Sequence, residues 1–183
     1  MVFTGNEFLQ LDYNQDTWAI GDVSAAGGDY LEVAENSSVV RLDSSKCKHS
    51  SLIVTGGVAS QGSILNWTYG MQFFKDGNKG VVGMMSWSDP NMLLPEQRMM
   101  HQSCMVEDSN GNPLLLVVGG KTGTHPGKCE FTNSVIGFNM KEIYEGKPST
   151  SGWTTLESMK VARSGFALTV VDNMVYVFGG IQG

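Results

Sequence analysis

Residues 152–183 read Gly152-Trp153-Thr-Thr-Leu-Glu-Ser-Met159-Lys-Val-Ala-Arg163-Ser-Gly-Phe166-Ala-Leu-Thr-Val-Val171-Asp-Asn-Met174-Val-Tyr176-Val-Phe178-Gly179-Gly180-Ile-Gln-Gly183. Two apolar runs, 166–171 and 174–178, flank Asp172-Asn173. Both of these residues tolerate positive φ, which suits a tight hairpin turn. A strand in a one-sided sheet alternates apolar and polar residues, whereas these runs are apolar on both faces, which predicts burial on both. The closing Gly179-Gly180 lacks Cβ atoms, so the chain can turn with positive φ and approach neighbouring backbone closely.

The same ending occurs upstream, as Leu52-Ile-Val-Thr-Gly56-Gly57 and Leu115-Leu-Val-Val-Gly119-Gly120. The first glycines of the three pairs are 63 and 60 residues apart, and Trp18, Trp87 and Trp153 recur at 69 and 66. Two markers with matching periods define a repeat, which decides the architecture. Further strands are expected near Phe8–Asp12, Tyr69–Phe74 and Ser134–Met140. About four short antiparallel strands per unit then stack face to face as blades. The expected boundaries are a partial blade at 1–18, blades at 38–87 and 101–156, and a partial blade at 164–183.

These residues resemble the kelch repeat family, a resemblance carried by Gly179-Gly180, Tyr176, Trp153 and Arg163 after Met159. The middle unit repeats it with Trp87, Pro95, Arg98, His101 and Gly119-Gly120, while the first unit keeps chiefly Gly56-Gly57. The resemblance implies an all-β, kelch-type β-propeller whose Trp and Tyr pack between blades. Kelch units run to about 50 residues, so these carry insertions. About three units fall short of the roughly four to eight blades of a ring. The expectation is therefore a piece of a longer propeller, or one that another chain or segment completes.

The chain has 183 residues and a formal net charge of −6. Residues 1–40 hold seven acidic residues and no Lys or Arg; the remainder holds 12 basic against 11 acidic. No basic stripe points to nucleic acid, and no apolar stretch is long enough to span a bilayer. The odd set Cys47, Cys104 and Cys129 reads as reduced thiols, giving a cytoplasmic expectation that includes cytoskeletal or ciliary settings.

Catalytic constellations are scarce. His49 and His101 are isolated in sequence, and His101 reads as a packed or capping residue. His125 and Cys129 give a two-ligand metal hint without further ligands. Gly119-Gly-Lys121-Thr-Gly123 imitates a phosphate loop, but position 115 is Leu and no helix is expected to follow. A galactose-oxidase-like copper enzyme would need a Tyr/His/Cys arrangement that these residues do not offer. No enzyme activity, metal or cofactor is expected.

Loops are the better candidates, because recognition gathers on long loops held by a rigid scaffold. One side of the blades is expected to collect 19–37, 58–68, 88–101, 121–132 and 157–163; the other collects 43–50, 75–80, 108–113, 141–151 and 172–173. The expected partner-binding residues are Trp67, Met92, Leu93, Leu94, Lys121 and His125. The function expected is a non-enzymatic protein-interaction scaffold within a larger assembly. The alternative is the substrate-recognition propeller of a ubiquitin-ligase adaptor.

Overall fold

The computed structural model describes residues 2–4, 7–12, 17–22, 34–42, 51–75 and 81–183, with side chains described for 34–42, 52–72 and 88–183. Cys47, His49, most of 19–37, and the loops 43–50 and 76–80 lie outside them. So do the side chains of Trp18 and Trp87. The strands, in chain order, are β1 (Val2–Thr4), β2 (Glu7–Asp12), β3 (Thr17–Asp22), β4 (Ser38–Arg41), β5 (Ser51–Thr55), β6 (Thr68–Lys75), β7 (Val81–Trp87), β8 (Arg98–Met99) and β9 (Gln102–Glu107). They continue as β10 (Pro113–Val118), β11 (Lys121–His125), β12 (Lys128–Phe131), β13 (Val135–Asn139), β14 (Thr154–Leu156), β15 (Arg163–Ser164), β16 (Ala167–Val171), β17 (Met174–Phe178) and β18 (Ile181–Gln182). One short helix, α1 (Lys141–Tyr144), accompanies them.

The architecture is all-β, built from small antiparallel sheets. β4-β5-β6-β7 and β9-β10-β13-β14 are four-stranded sheets, β1-β2-β3 is three-stranded, and β16-β17 is a hairpin. Asp172 (φ 49°) and Asn173 (φ 62°) make its two-residue turn, as their tolerance of positive φ predicts. The strands expected near 8–12, 69–74 and 134–140 are β2, β6 and β13.

The second, third and fourth sheets stack in sequence. Leu42 and Ile53 form one apolar layer with Leu115, Phe138 and Met140, joined by Val40 and Met105. Cys104, Leu116 and Val118 form the next layer with Phe166, covered by Leu168, Val170, Val175 and Val177. Adjacent β10 residues thus serve different layers: Leu115 faces back toward β4–β5, and Leu116 faces onward to β16–β17. This is the physical reason the run is apolar throughout.

The hairpin β16–β17 departs from the expectation of burial on both faces. Its inner face is covered, but Val171, Met174, Tyr176 and Phe178 on the outer face are exposed. Tyr176, which the resemblance implies is packed between blades, therefore has no sheet against it among the described residues.

Sequence spacing also missed a small sheet. Residues 121–132, read as loop, form the hairpin β11–β12, with β8 on its other edge in the order β12-β11-β8. An irregular register between Gly123 and His125 breaks the alternation that would have marked a strand. Residues Lys121-Thr-Gly123 continue as strand, so no helix N-terminus follows the glycines.

Candidate functional site: joints between sheets and a loop-lined groove

The glycine pairs are structural joints. Their φ values are 55° and 106° at Gly56-Gly57, 55° and 98° at Gly119-Gly120, and 66° and 84° at Gly179-Gly180. A Cβ on the second glycine of each pair would lie 2.9, 2.6 and 2.8 Å from the carbonyl oxygens of Glu35, Met99 and Ser164, respectively. Nothing larger than hydrogen fits there.

Each joint reaches the next unit. Gly57 N–H donates to the Arg98 carbonyl at 2.8 Å, and Gly120 N–H donates to the Arg163 carbonyl at 2.8 Å. Each arginine also serves its own unit: the guanidinium of Arg98 donates to Gly119 O (2.9 Å) and that of Arg163 to Gly179 O (2.8 Å). Arg98 is buried and also reaches the Ser134 hydroxyl at 2.7 Å. Position 34, which corresponds to these arginines in the first unit, is Ala.

A further series has no constant residue type. Asn36, Met100 and Gly165 have φ of 57°, 53° and 62°. Met100 N–H donates to Asn36 O and Gly165 N–H to Met100 O, both at 2.9 Å. Sequence comparison within the chain could not align Asn, Met and Gly; spacing from the following strands could have.

His101 lies inside the first joint. It is buried, and its Nε2 is 2.8 Å from Thr55 Oγ, which is in turn 2.8 Å from Ser103 Oγ. Burial, and secondarily the Arg98 charge, push its pKa down to about 3, against the opposing effect of the Thr55 hydrogen bond. The ring is neutral and sealed, suited to holding two sheets together. Burial likewise pushes the Cys104 thiol up to about 11.

The loops expected on one side do converge. Ile64 N–H donates to Thr124 O (3.1 Å), Arg98 N–H to Leu65 O (3.0 Å) and Leu94 N–H to Asn66 O (2.8 Å). Between them lies an open groove of about 810 Å³, lined by Asn66, Glu96, Gln97, Thr122, Lys128 and Glu130 among others. Trp67 and Leu93, each 46% exposed, sit beside the Asn66–Leu94 joint at its margin.

Two of the expected contact residues are corrected. Met92 and Leu94 are buried, Met92 in the layer with Phe138 and Leu94 in a cluster with Val117 and Ile136. The turn that turns them inward is built by Asp89, whose carboxylate accepts from Asn91 N–H (2.9 Å) and Ser149 N–H (2.7 Å). Trp153 completes the anchor by donating to Met92 O at 3.0 Å, with its ring 5.3 Å from that of Phe138. Residues 149–153 are thereby tied to 89–92, although 141–151 and 88–101 were expected on opposite sides.

Lys121 is half-buried with its ammonium 4.4 Å from the Phe131 ring centre. His125 is exposed, and its Nδ1 accepts from Gly127 N–H at 3.1 Å, while Cys129 Sγ donates to Pro126 O at 3.0 Å. Both side chains are engaged in holding their own turn. Among the described residues, no group of three or more His, Cys, Asp or Glu is placed to hold a metal ion. No helix among them is long and apolar enough to cross a membrane.

No family model matches the chain, and no curated protein matches it. Solved structures do. The chain is similar to RAG, solved by cryo-EM in complex with one melted and one unmelted RSS, with a TM-score of 0.72, 13% identity, and coverage of 95% of this chain and 50% of that one. It is also similar to YjhT, with a TM-score of 0.64, 10% identity, and coverage of 97% and 46%. The chain thus spans about half the length of these solved chains, and the likeness is one of fold.

Proposed function

We propose that this chain is part of a kelch-type β-propeller that acts as a non-enzymatic interaction scaffold, with the loop groove as its surface for protein partners. The observation that carries this reading is the placement of Trp67 and Leu93. Large apolar side chains exposed beside a groove favour a protein contact, because aromatic anchors next to pockets supply most interface energy. The propeller reading is supported by the stacking of antiparallel sheets and by the glycine-pair joints at a fixed place in each unit. The groove is mixed in charge, with Glu96 and Glu130 beside Lys128. It suits a peptide or loop carrying an apolar residue flanked by polar groups.

A photoreactive residue at position 67 or 93 should form a discrete adduct with one protein in cells, and the same probe at exposed Ser109 should not. A Trp67→Ala change should abolish the adduct made from position 93 while leaving far-UV circular dichroism unchanged. Equal labelling from positions 67 and 109, or unfolding of the Trp67→Ala protein, would overturn the assignment.

A further inference from the structure

The third joint repeats the first two but makes only half of their contacts. At the position of Thr55 in β5 and Val118 in β10, exposed by 0% and 2%, stands Phe178, exposed by 59%. Ile53 and Leu116 are covered by the following sheet, whereas Tyr176 at the same place is open. The backbone tells the same story. A Cβ on Gly56 would collide with the Arg98 carbonyl, and one on Gly119 would lie 2.9 Å from the Arg163 carbonyl; around Gly179 nothing lies within 4 Å. Gly57 and Gly120 donate to those carbonyls, but no such bond is formed by Gly180 among the described residues.

An apolar face, an unoccupied glycine joint and the open edge of β17 therefore coincide in one element. The hairpin register adds a detail: the pair flanking a two-residue turn, Val171 and Met174, exchanges hydrogen bonds, so Val175 and Val177 turn their N–H groups to the free edge. In the preceding sheet the matching strand, β10, has both edges paired, to β9 and β13. The face and edge are complementary to one kind of body, a sheet built like those already in the array.

We infer that a second copy of this chain supplies that body, head to tail. The chain spans 50% and 46% of the solved chains whose fold it shares, so two copies provide as much sheet as one of those chains. A head-to-tail contact repeated about a two-fold axis closes on itself, with each copy covering the other. The contact atoms follow from the internal repeats. Gly180 N–H donates to the partner's Ala34 carbonyl, as Gly57 and Gly120 donate to Arg98 and Arg163. The partner's Asn36 N–H donates to Gly165 O, as Met100 does to Asn36. The face containing Tyr176 and Phe178 is covered by the partner's sheet β4–β7. Val39 is 40% exposed on β4, on the face opposite Val40 and Ile53, where such a neighbour would lie. This inference stands on the stacked sheets alone, whether or not the loop groove binds anything.

Size-exclusion chromatography with light scattering tests it at micromolar concentration. Twice the 19.8 kDa chain mass is expected for the unmodified protein. Phe178→Lys and, separately, Val171→Lys should give monomers with unchanged circular dichroism, since both residues are exposed within one chain. Amide exchange at Val175 and Val177 should be at least tenfold slower in the dimer than in either variant. A monomeric unmodified protein, open-ended polymers, or a dimer indifferent to both lysines would overturn the inference.

Discussion

His101 shows how a residue that looks chemical in sequence becomes structural in the fold. Its ring is neutral because burial, helped by the Arg98 charge, drives its pKa from the usual 6.5 to about 3. The unfolded chain takes up a proton near pH 6.5 and the folded chain does not, so stability is complete above pH 6.5 and falls as pH drops toward 3. The slope is about 1.4 kcal/mol per pH unit, hence a loss of roughly 2 kcal/mol by pH 5. Asp108, Glu142 and Glu145, held below the usual carboxylate range by hydrogen bonds from Asn112, Thr150 and Lys147, add to the loss only at lower pH. Urea midpoints from pH 7 to 5 should therefore fall for the native sequence and stay nearly flat for His101→Gln. A native midpoint that does not move would show that the ring is not held neutral. The histidine's environment was legible only as a packed residue, because Thr55 and Ser103 come from strands that spacing alone does not bring together.

Among the elements, the hairpin β16–β17 was legible and the hairpin β11–β12 was not. The first has unbroken β-branched and aromatic runs around an Asp-Asn turn. The second is short, half-exposed and interrupted at Gly123, so its pairing depends on β8 and the neighbouring loop rather than on its own pattern. The turn of the legible hairpin does more than reverse the chain. Asn173 Oδ1 accepts from Glu107 N–H (2.7 Å) and its Nδ2 donates to Glu107 O (2.8 Å), so one side chain pairs with the end of β9. Asn173→Gly keeps the left-handed backbone but loses both bonds, and should cost about 1–2 kcal/mol in chemical denaturation. Asn173→Asp should cost at least as much, because a carboxylate cannot donate to the Glu107 carbonyl. Asp172→Gly, which removes no such bond, should be close to neutral. If all three changes were alike, the turn conformation alone would be what matters.

At the scale of the molecule, the repeat was legible because glycine is required wherever φ is positive and a carbonyl passes close, as at Gly57, Gly120 and Gly180. The belt through Asn36, Met100 and Gly165 was hidden because it is made by backbone atoms, which do not constrain residue type. Inward-facing Met92 and Leu94 were misread as surface because Asp89, not hydrophobic pattern, decides which way that turn faces. The same layered construction predicts how the molecule comes apart. Stability in a stack is a sum of units and nearest-neighbour interfaces. In the monomeric Phe178→Lys protein, β16–β17 has one such interface and β9-β10-β13 has two. Hydrogen exchange should therefore show Thr169 and Tyr176 opening at lower free energy than Leu115 and Val117, with the loss of β16–β17 preceding that of the central sheet. In the unmodified dimer the gap should narrow, since the second copy gives the hairpin its missing interface. A single cooperative opening with equal protection at all four amides in Phe178→Lys would mean that the sheets unfold as one block, and nearest-neighbour stacking would not describe this chain.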